Sequence, residues 1–123
     1  MSEEKIKVMV VEDEVLIGLM LVKKLRAYGY DVCEVITTGE KSVEIAAEIN
    51  PSVVLMDVTL AGRMNGLEAA KEIKKRYNIP IIIFTGYSDK SFHDQAHQID
   101  PVAILAKMDP MSDIIAAIEK AVA

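Results

Sequence analysis

The sequence predicts a doubly wound α/β domain, a five-stranded parallel sheet with helices on both faces. Three observations lead there. Short apolar segments alternate five times with longer helix-like segments. The strand segments are apolar throughout rather than every second residue, as expected of parallel strands buried on both faces. Glycine, proline and asparagine fall at the boundaries between segments.

The elements follow in order. Ile6 to Val11 is a run of β-branched and other apolar residues and reads as the first strand. Glu14 to Tyr28, rich in Leu, Met and Lys, reads as a helix stopped by Gly29. Asp31 to Ile36 is a second strand, with Cys33 inside it as a small buried residue. Thr37 or Thr38 caps a helix that runs to Ile49 and stops at Asn50-Pro51. Val53 to Met56 is the third strand. A long loop with Gly62 and Gly66 leads to a third helix, Leu67 to Tyr77. Pro80 opens the fourth strand, Ile81 to Phe84. Lys90 to Gln98 is a helix with few apolar residues, and Val102 to Ala106 is the fifth strand. Asp109 is placed to cap a last helix, with Pro110 at its first position and Val122 at its end.

The chain has 123 residues, about one domain's worth, and residues 1–123 read as a single domain. Hydrophobic residues make up 51% and charged residues 27%, which excludes a disordered chain. Lys plus Arg number 14 and Asp plus Glu 19, a net charge of −5. That balance argues against direct nucleic-acid binding and against anionic membranes. The single cysteine cannot form an internal disulfide, and Met1 to Lys5 is too polar for a signal peptide. No apolar run approaches the roughly 20 residues that span a bilayer. A cytoplasmic domain without membrane contact is the expectation.

In open parallel sheets, functional groups collect beyond the C-terminal ends of the strands. Glu12, Asp13 and Glu14 follow the first strand, and Asp57 follows the third. Thr85 and Lys107 follow the fourth and fifth. With the first and third strands adjacent, Glu12, Asp13 and Asp57 converge. Carboxylates about 4 Å apart repel by about 4 kcal/mol per pair at an effective dielectric near 20. A hard divalent cation such as Mg²⁺ offsets that, with Lys107 adding one positive charge. A metal, a lysine and a carboxylate nucleophile suit a phosphoryl group. Asp57, alone at its strand end, is the better nucleophile, and Glu12 and Asp13 the better metal pair.

Each residue also has a plainer reading. Acidic residues before a helix complement its dipole. An Asp after a strand, or Thr85 before Gly86, suits a turn. A lone Lys is usually solvated. The coincidence of all of them at matching strand ends favours the site.

The segments Val10-Val11-Glu12-Asp13-Glu14, Val53-Val54-Leu55-Met56-Asp57, Ile81-Ile82-Ile83-Phe84-Thr85-Gly86 and Ala106-Lys107 together resemble the receiver domain of two-component response regulators. The resemblance covers essentially the whole chain. Residues 60–70 resemble that family's loop into the third helix, one residue longer than the common form. The resemblance implies a flavodoxin-like sheet in the order 2-1-3-4-5. It implies a single-domain phosphoacceptor in signalling rather than an enzyme. Asp57 would take a phosphoryl group from a sensor histidine kinase or a histidine phosphotransfer protein. Glu12, Asp13, Asp57 and the Thr59 backbone carbonyl would bind Mg²⁺. Thr85 and Lys107 would contact the phosphoryl group, and Thr59 and Tyr87 would flank it and tune its hydrolysis.

The sequence departs from the family pattern at three places. The switch position three before the lysine, usually aromatic, is Ile104. Met108 stands where proline usually follows the lysine, and Ala61 where proline often follows the phosphorylation turn. The usual coupling of Thr85 to a rotating ring therefore does not carry over, and a pseudo-receiver that never carries phosphate is the alternative. A flavodoxin-like electron carrier shares the topology, but Glu12-Asp13-Glu14 would repel a flavin phosphate and there is no tryptophan to stack on the ring.

Some residues fall outside that scheme. Ile17, Leu21, Leu25 and Tyr28 form one stripe of the first helix, expected to face the sheet. Val15, Leu16, Leu19 and Val22 then fall on the opposite side, a surface for the phosphodonor or a second copy, as a homodimer. In the receiver family this helix belongs to the kinase-docking surface. His93 and His97 stand four apart on the fourth helix, where a shared metal lacks further ligands and is not expected. Arg63 in the longer loop reads as solvated.

Overall fold

The computed structural model describes residues 5–60, 63–86, 90–107 and 109–123, apart from the side chains of residues 90–93. The elements are β1 (Lys7–Val11), α1 (Val15–Ala27), β2 (Asp31–Val32), α2 (Gly39–Ile49), β3 (Val53–Asp57), α3 (Gly66–Tyr77), β4 (Ile81–Thr85), α4 (Lys90–Gln98), β5 (Ala103–Ala106) and α5 (Met111–Val122). All pairings are parallel, in the order β2-β1-β3-β4-β5. This is the expected flavodoxin-like order. The register sets Val11 beside Met56, Asp57 beside Phe84 and Thr85 beside Ala106. The residues at and just beyond these strand ends therefore share one edge.

Alternate side chains of each strand enter opposite cores. Met9, Val54, Met56 and Ile83 point to the α3 side, where Leu67, Ala70 and Ile73 cover them with Ala46 of α2. Val8, Val10, Leu55 and Ile82 point to the other side, against Leu21, Val22 and Leu25 of α1 and Ile114 and Ile118 of α5. Each fully buried Leu or Ile contributes about 1.5–3 kcal/mol. Truncating Leu55 or Ile82 to alanine costs about 2–5 kcal/mol, because it opens a cavity among the α1 and α5 side chains packed on that face.

Caps fix the helix ends. Thr38 caps α2, its hydroxyl accepting the Lys41 N–H at 3.2 Å. At α3, Asn65 and Glu68 form a reciprocal capping box. Asn50 and Asn78 end α2 and α3 in the left-handed region. Among the described residues, no helix is long and apolar enough to cross a membrane.

Four local expectations need correction. The second strand is two residues long, not six. It leaves β1 after Val32 and returns only as a bridge between Val11 and Ile36. Between them Val35 leans onto α1 at Gly18, where a Cβ would stand 2.7 Å from Val35 Cγ1. Cys33 consequently lies half-buried outside any strand. Asp109 does not cap α5; its Oδ2 folds back to accept the Ala106 N–H at 2.9 Å, and Pro110 takes the cap position. The inward face of α1 is Gly18, Leu21, Val22 and Leu25, whereas Tyr28 is 59% exposed. Tyr28 falls after the last helical residue, where the chain turns away towards Gly29.

Candidate functional site

The site is assembled from three strand ends. Glu12 leaves β1 with its N–H donating to the Ile36 carbonyl at 2.8 Å. Its carboxylate turns inward, buried, and Oε2 accepts the Glu14 N–H at 3.1 Å. Asp57, the last residue of β3, is fully buried. Its Oδ1 accepts both the N–H and the hydroxyl of Thr59, each at 3.0 Å. Lys107 follows β5, its N–H donating to the Thr85 carbonyl at 2.8 Å. That bond ties the ends of β4 and β5 together. Lys107 Nζ then lies 3.1 Å from Asp57 Oδ2, 3.1 Å from Glu12 Oε2 and 2.9 Å from Glu12 Oε1.

Glu12, Asp13 and Asp57 each offer an oxygen within 4.8 Å of one another. Glu12 Oε1 is close enough to Lys107 for charge attraction, but the angles give it no hydrogen bond, and it is a buried acceptor without one. Three oxygens with one unfulfilled acceptor fit a hard oxygen-seeking cation such as Mg²⁺.

The electrostatics show the same deficit of positive charge. Burial, with Asp57 beside it, pushes the Glu12 carboxyl up to about 7. Burial also pushes Asp57 upward. Hydrogen bonds from the Glu12 carboxyl, the Thr59 N–H and Lys107 outweigh it and hold Asp57 below the usual range. Burial would lower Lys107, but its two carboxylate partners outweigh that and raise it. One buried lysine thus serves two buried carboxylates, with Asp13 half-buried alongside.

Other predicted positions fall as follows. Thr85 is buried at the end of β4. Thr59 adjoins Asp57 with its own side exposed. Ile104 pairs with Ile83 and packs, half-buried, against the α3-side core. Arg63 is exposed. Tyr87, Ala61, Gly62 and Met108 lie outside the described residues, as does the side chain of His93. Val15, Leu16 and Leu19 are exposed on α1, but Val22 is buried.

Two residues to which sequence reading assigned no role at the site adjoin it. Glu14 sends its carboxylate to within 3.7 Å of Lys107. Gly66 lies directly against the Asp57 backbone. Its only sequence signal is a loop glycine that also opens a helix.

A family model described as the response regulator receiver domain matches residues 8–119. The chain belongs to this family. It is 36% identical over 116 residues to the transcriptional regulatory protein PdtaR of Mycobacterium tuberculosis, covering 94% of this chain and 56% of that protein. It is 28% identical to the phyllosphere-induced regulator PhyR of Methylorubrum extorquens, covering 94% of this chain and 43% of that one. The chain thus spans about half the length of these relatives. The signal receiver domain of a modulated diguanylate cyclase from Desulfovibrio desulfuricans superimposes with a TM-score of 0.91 at 32% identity, covering 97% of this chain and 94% of that one. Receiver domains serve mostly in signalling and generally bind Mg²⁺ at an acidic cluster, and Glu12, Asp13 and Asp57 form an acidic group here.

Proposed function

We propose that this receiver domain takes a phosphoryl group onto Asp57 from a phosphohistidine, on a sensor histidine kinase or a histidine phosphotransfer protein. The observation that supports it most directly is Lys107 Nζ at 3.1 Å from Asp57 Oδ2, beside the converging oxygens of Glu12, Asp13 and Asp57. Asp57, held below the usual carboxylate range, is ionised at neutral pH and needs no base. An Asp57 oxygen attacks phosphorus. The new O–P bond forms as the N–P bond breaks, and its electron pair returns to the imidazole nitrogen. Lys107 and the Thr85 hydroxyl take the phosphoryl oxygens, while Thr59 keeps Oδ1 oriented. Glu12, Asp13, Asp57 and the Thr59 carbonyl are the groups to hold Mg²⁺. When bound, Mg²⁺ neutralises charge on the phosphoryl oxygens.

Phosphorylation then biases a two-state equilibrium by new contacts to Thr85 and the loops around it. Ile104 leaves no ring to rotate at the usual switch position. The same reading places the domain in the cytoplasm, without direct contact to nucleic acid. The test is an amide NMR titration with Mg²⁺ and then beryllofluoride, alongside Asp57→Ala. Saturable shifts around Asp57, Thr85 and Lys107, lost in the variant, are expected. No response to either addition overturns the reading in favour of a pseudo-receiver.

A further inference from the structure

Glu40 is an exposed residue in the first turn of α2, where an acid complements the helix dipole. Its side chain does something further. Oε1 accepts the Met64 N–H at 2.6 Å, a short bond to a carboxylate acceptor across 24 residues of sequence. Met64 lies in the stretch by which the long loop after Asp57 returns to α3. Gly39 lies against the same residue, and a Cβ there would stand 2.6 Å from the Met64 carbonyl oxygen. The Met64 side chain packs half-buried on the α3-side core. A hydrogen bond, a close backbone approach and core packing thus fasten the returning loop to α2.

We infer that Glu40 is a positioning residue for Asp57, acting through Met64 and Gly66. The inference rests on the reading of Asp57 as the phosphoacceptor and names what steadies that acceptor from outside the site. Gly66 is two residues beyond Met64, and two residues span at most about 7 Å. Asn65 between them is committed to its reciprocal bonds with Glu68, which makes the link stiff. Gly66 is seated on the Asp57 carbonyl and on the Val58 backbone with no room for a Cβ. Val58 joins Asp57 to Thr59, whose N–H and hydroxyl both hold Asp57 Oδ1. Freeing Met64 from Glu40 therefore loosens the seat of Gly66 and turns the two Thr59 donors relative to Oδ1. Helix-dipole complementation alone predicts none of this, because it needs no contact with the loop.

NMR of the full chain tests the inference. Glu40→Ala removes the acceptor, whereas Glu40→Gln removes the charge but keeps an acceptor oxygen at the same reach. Glu44, paired with Lys41 at 3.6 Å, supplies the control, since Glu44→Ala removes a like charge one turn further along α2. In metal-free protein, Glu40→Ala is expected to shift the Thr59 amide and the Asp57 carboxyl ¹³C signals. In a Mg²⁺ titration it should weaken affinity roughly two- to tenfold. Glu40→Gln and Glu44→Ala should stay near wild type in both measurements. A purely structural role would lower the urea midpoint of Glu40→Ala with the Thr59 and Asp57 signals unmoved, and that result overturns the inference. So does Glu40→Gln behaving like Glu40→Ala, which would assign the effect to charge rather than to the hydrogen bond. A wild type that ignores Mg²⁺ counts against the phosphoacceptor reading, and the metal-free Thr59 and Asp57 signals then decide the inference by themselves.

Discussion

Gly66 stands so close to the Asp57 carbonyl oxygen that a Cβ at position 66 would overlap it. The first residue of α3 is thus seated on the last residue of β3, with the Gly66 N–H pointing back to the Val58 carbonyl at 3.4 Å. The obstacle is backbone rather than a flexible side chain, so it cannot swing away. Gly66→Ala is expected to destabilise the fold by roughly 2–3 kcal/mol or more in urea unfolding. It should also disturb the Thr59 hydrogen bonds that orient Asp57. A change within about 0.5 kcal/mol would show that α3 shifts freely from β3.

Glu12 predicts the pH dependence. Its carboxyl is raised to about 7 in the folded state from an ordinary 4.5. Between those values the folded chain holds a proton that the unfolded chain has released. By linkage, this group's contribution to stability falls as pH rises from about 4.5 to about 7 and is constant above. A cation needs the ionised form, so apparent Mg²⁺ affinity should rise with pH, by at most about tenfold per unit below 7, and level off above. Titrations at about pH 6, 7 and 8 measure this, and a flat affinity contradicts it. Asp57 is among the causes that raise Glu12, so Asp57→Asn should lower the Glu12 midpoint seen in its carboxyl ¹³C shift. Burial keeps it above the ordinary value.

The turn from α4 into β5 is held from α3. Lys74 Nζ donates to the Ile99 carbonyl at 2.7 Å and the Asp100 carbonyl at 2.5 Å, where Asp100 sits at φ 56°. The Lys74–Asp100 ion pair, at 3.6 Å, is almost fully exposed on the aspartate side. The carbonyl bonds should therefore matter more than the charge pair. Lys74→Met is expected to cost about 1–2 kcal/mol, since the apolar stem remains and two acceptors lose their donor. Asp100→Asn should stay within about 0.5 kcal/mol, because asparagine tolerates the left-handed backbone and the exposed pair contributes little. Equal losses from both changes would assign the anchor to the ion pair.

Much of this arrangement was legible in the sequence for physical reasons. Strands such as Val53–Asp57 and Ile81–Thr85 are buried on both faces, so they read as unbroken apolar runs. Glu12, Asp57, Thr85 and Lys107 each sit at or directly after such a run, so fixing the strands fixed their edge. The mistaken details depend on contacts remote in sequence. Whether Cys33 to Val35 continue a strand is decided by Val35 meeting Gly18. Whether Val22 or Tyr28 faces inward depends on how α1 lies against the sheet, which helical periodicity alone leaves open. The approach of Glu14 to Lys107 needs two loops from opposite ends of the chain to meet. The contact of Gly66 with Asp57 needs the return path of the long loop.

Among the described residues, Lys107 is the one cation paired with the site's buried carboxylates, with its side chain only 9% exposed. Lys107→Ala leaves Glu12 and Asp57 buried without it. Breaking a buried pair by removing one partner costs about 3–5 kcal/mol. Proton uptake by Glu12 recovers part of that, so a loss of about 2–4 kcal/mol is expected near pH 8, and less at pH 6. A divalent cation would return positive charge to the same oxygens. Added Mg²⁺ should therefore raise the thermal midpoint of Lys107→Ala more than that of the wild type, since stabilisation by a ligand rises with the logarithm of its affinity for the folded state. Calcium would act in the same direction, because both cations take carboxylate oxygens. Thermal unfolding with and without about 10 mM Mg²⁺ measures both effects. Equal Mg²⁺ stabilisation of the two proteins would show that the lysine and the cation act on separate charges, and that the Glu12–Asp57 pair is not what the metal relieves.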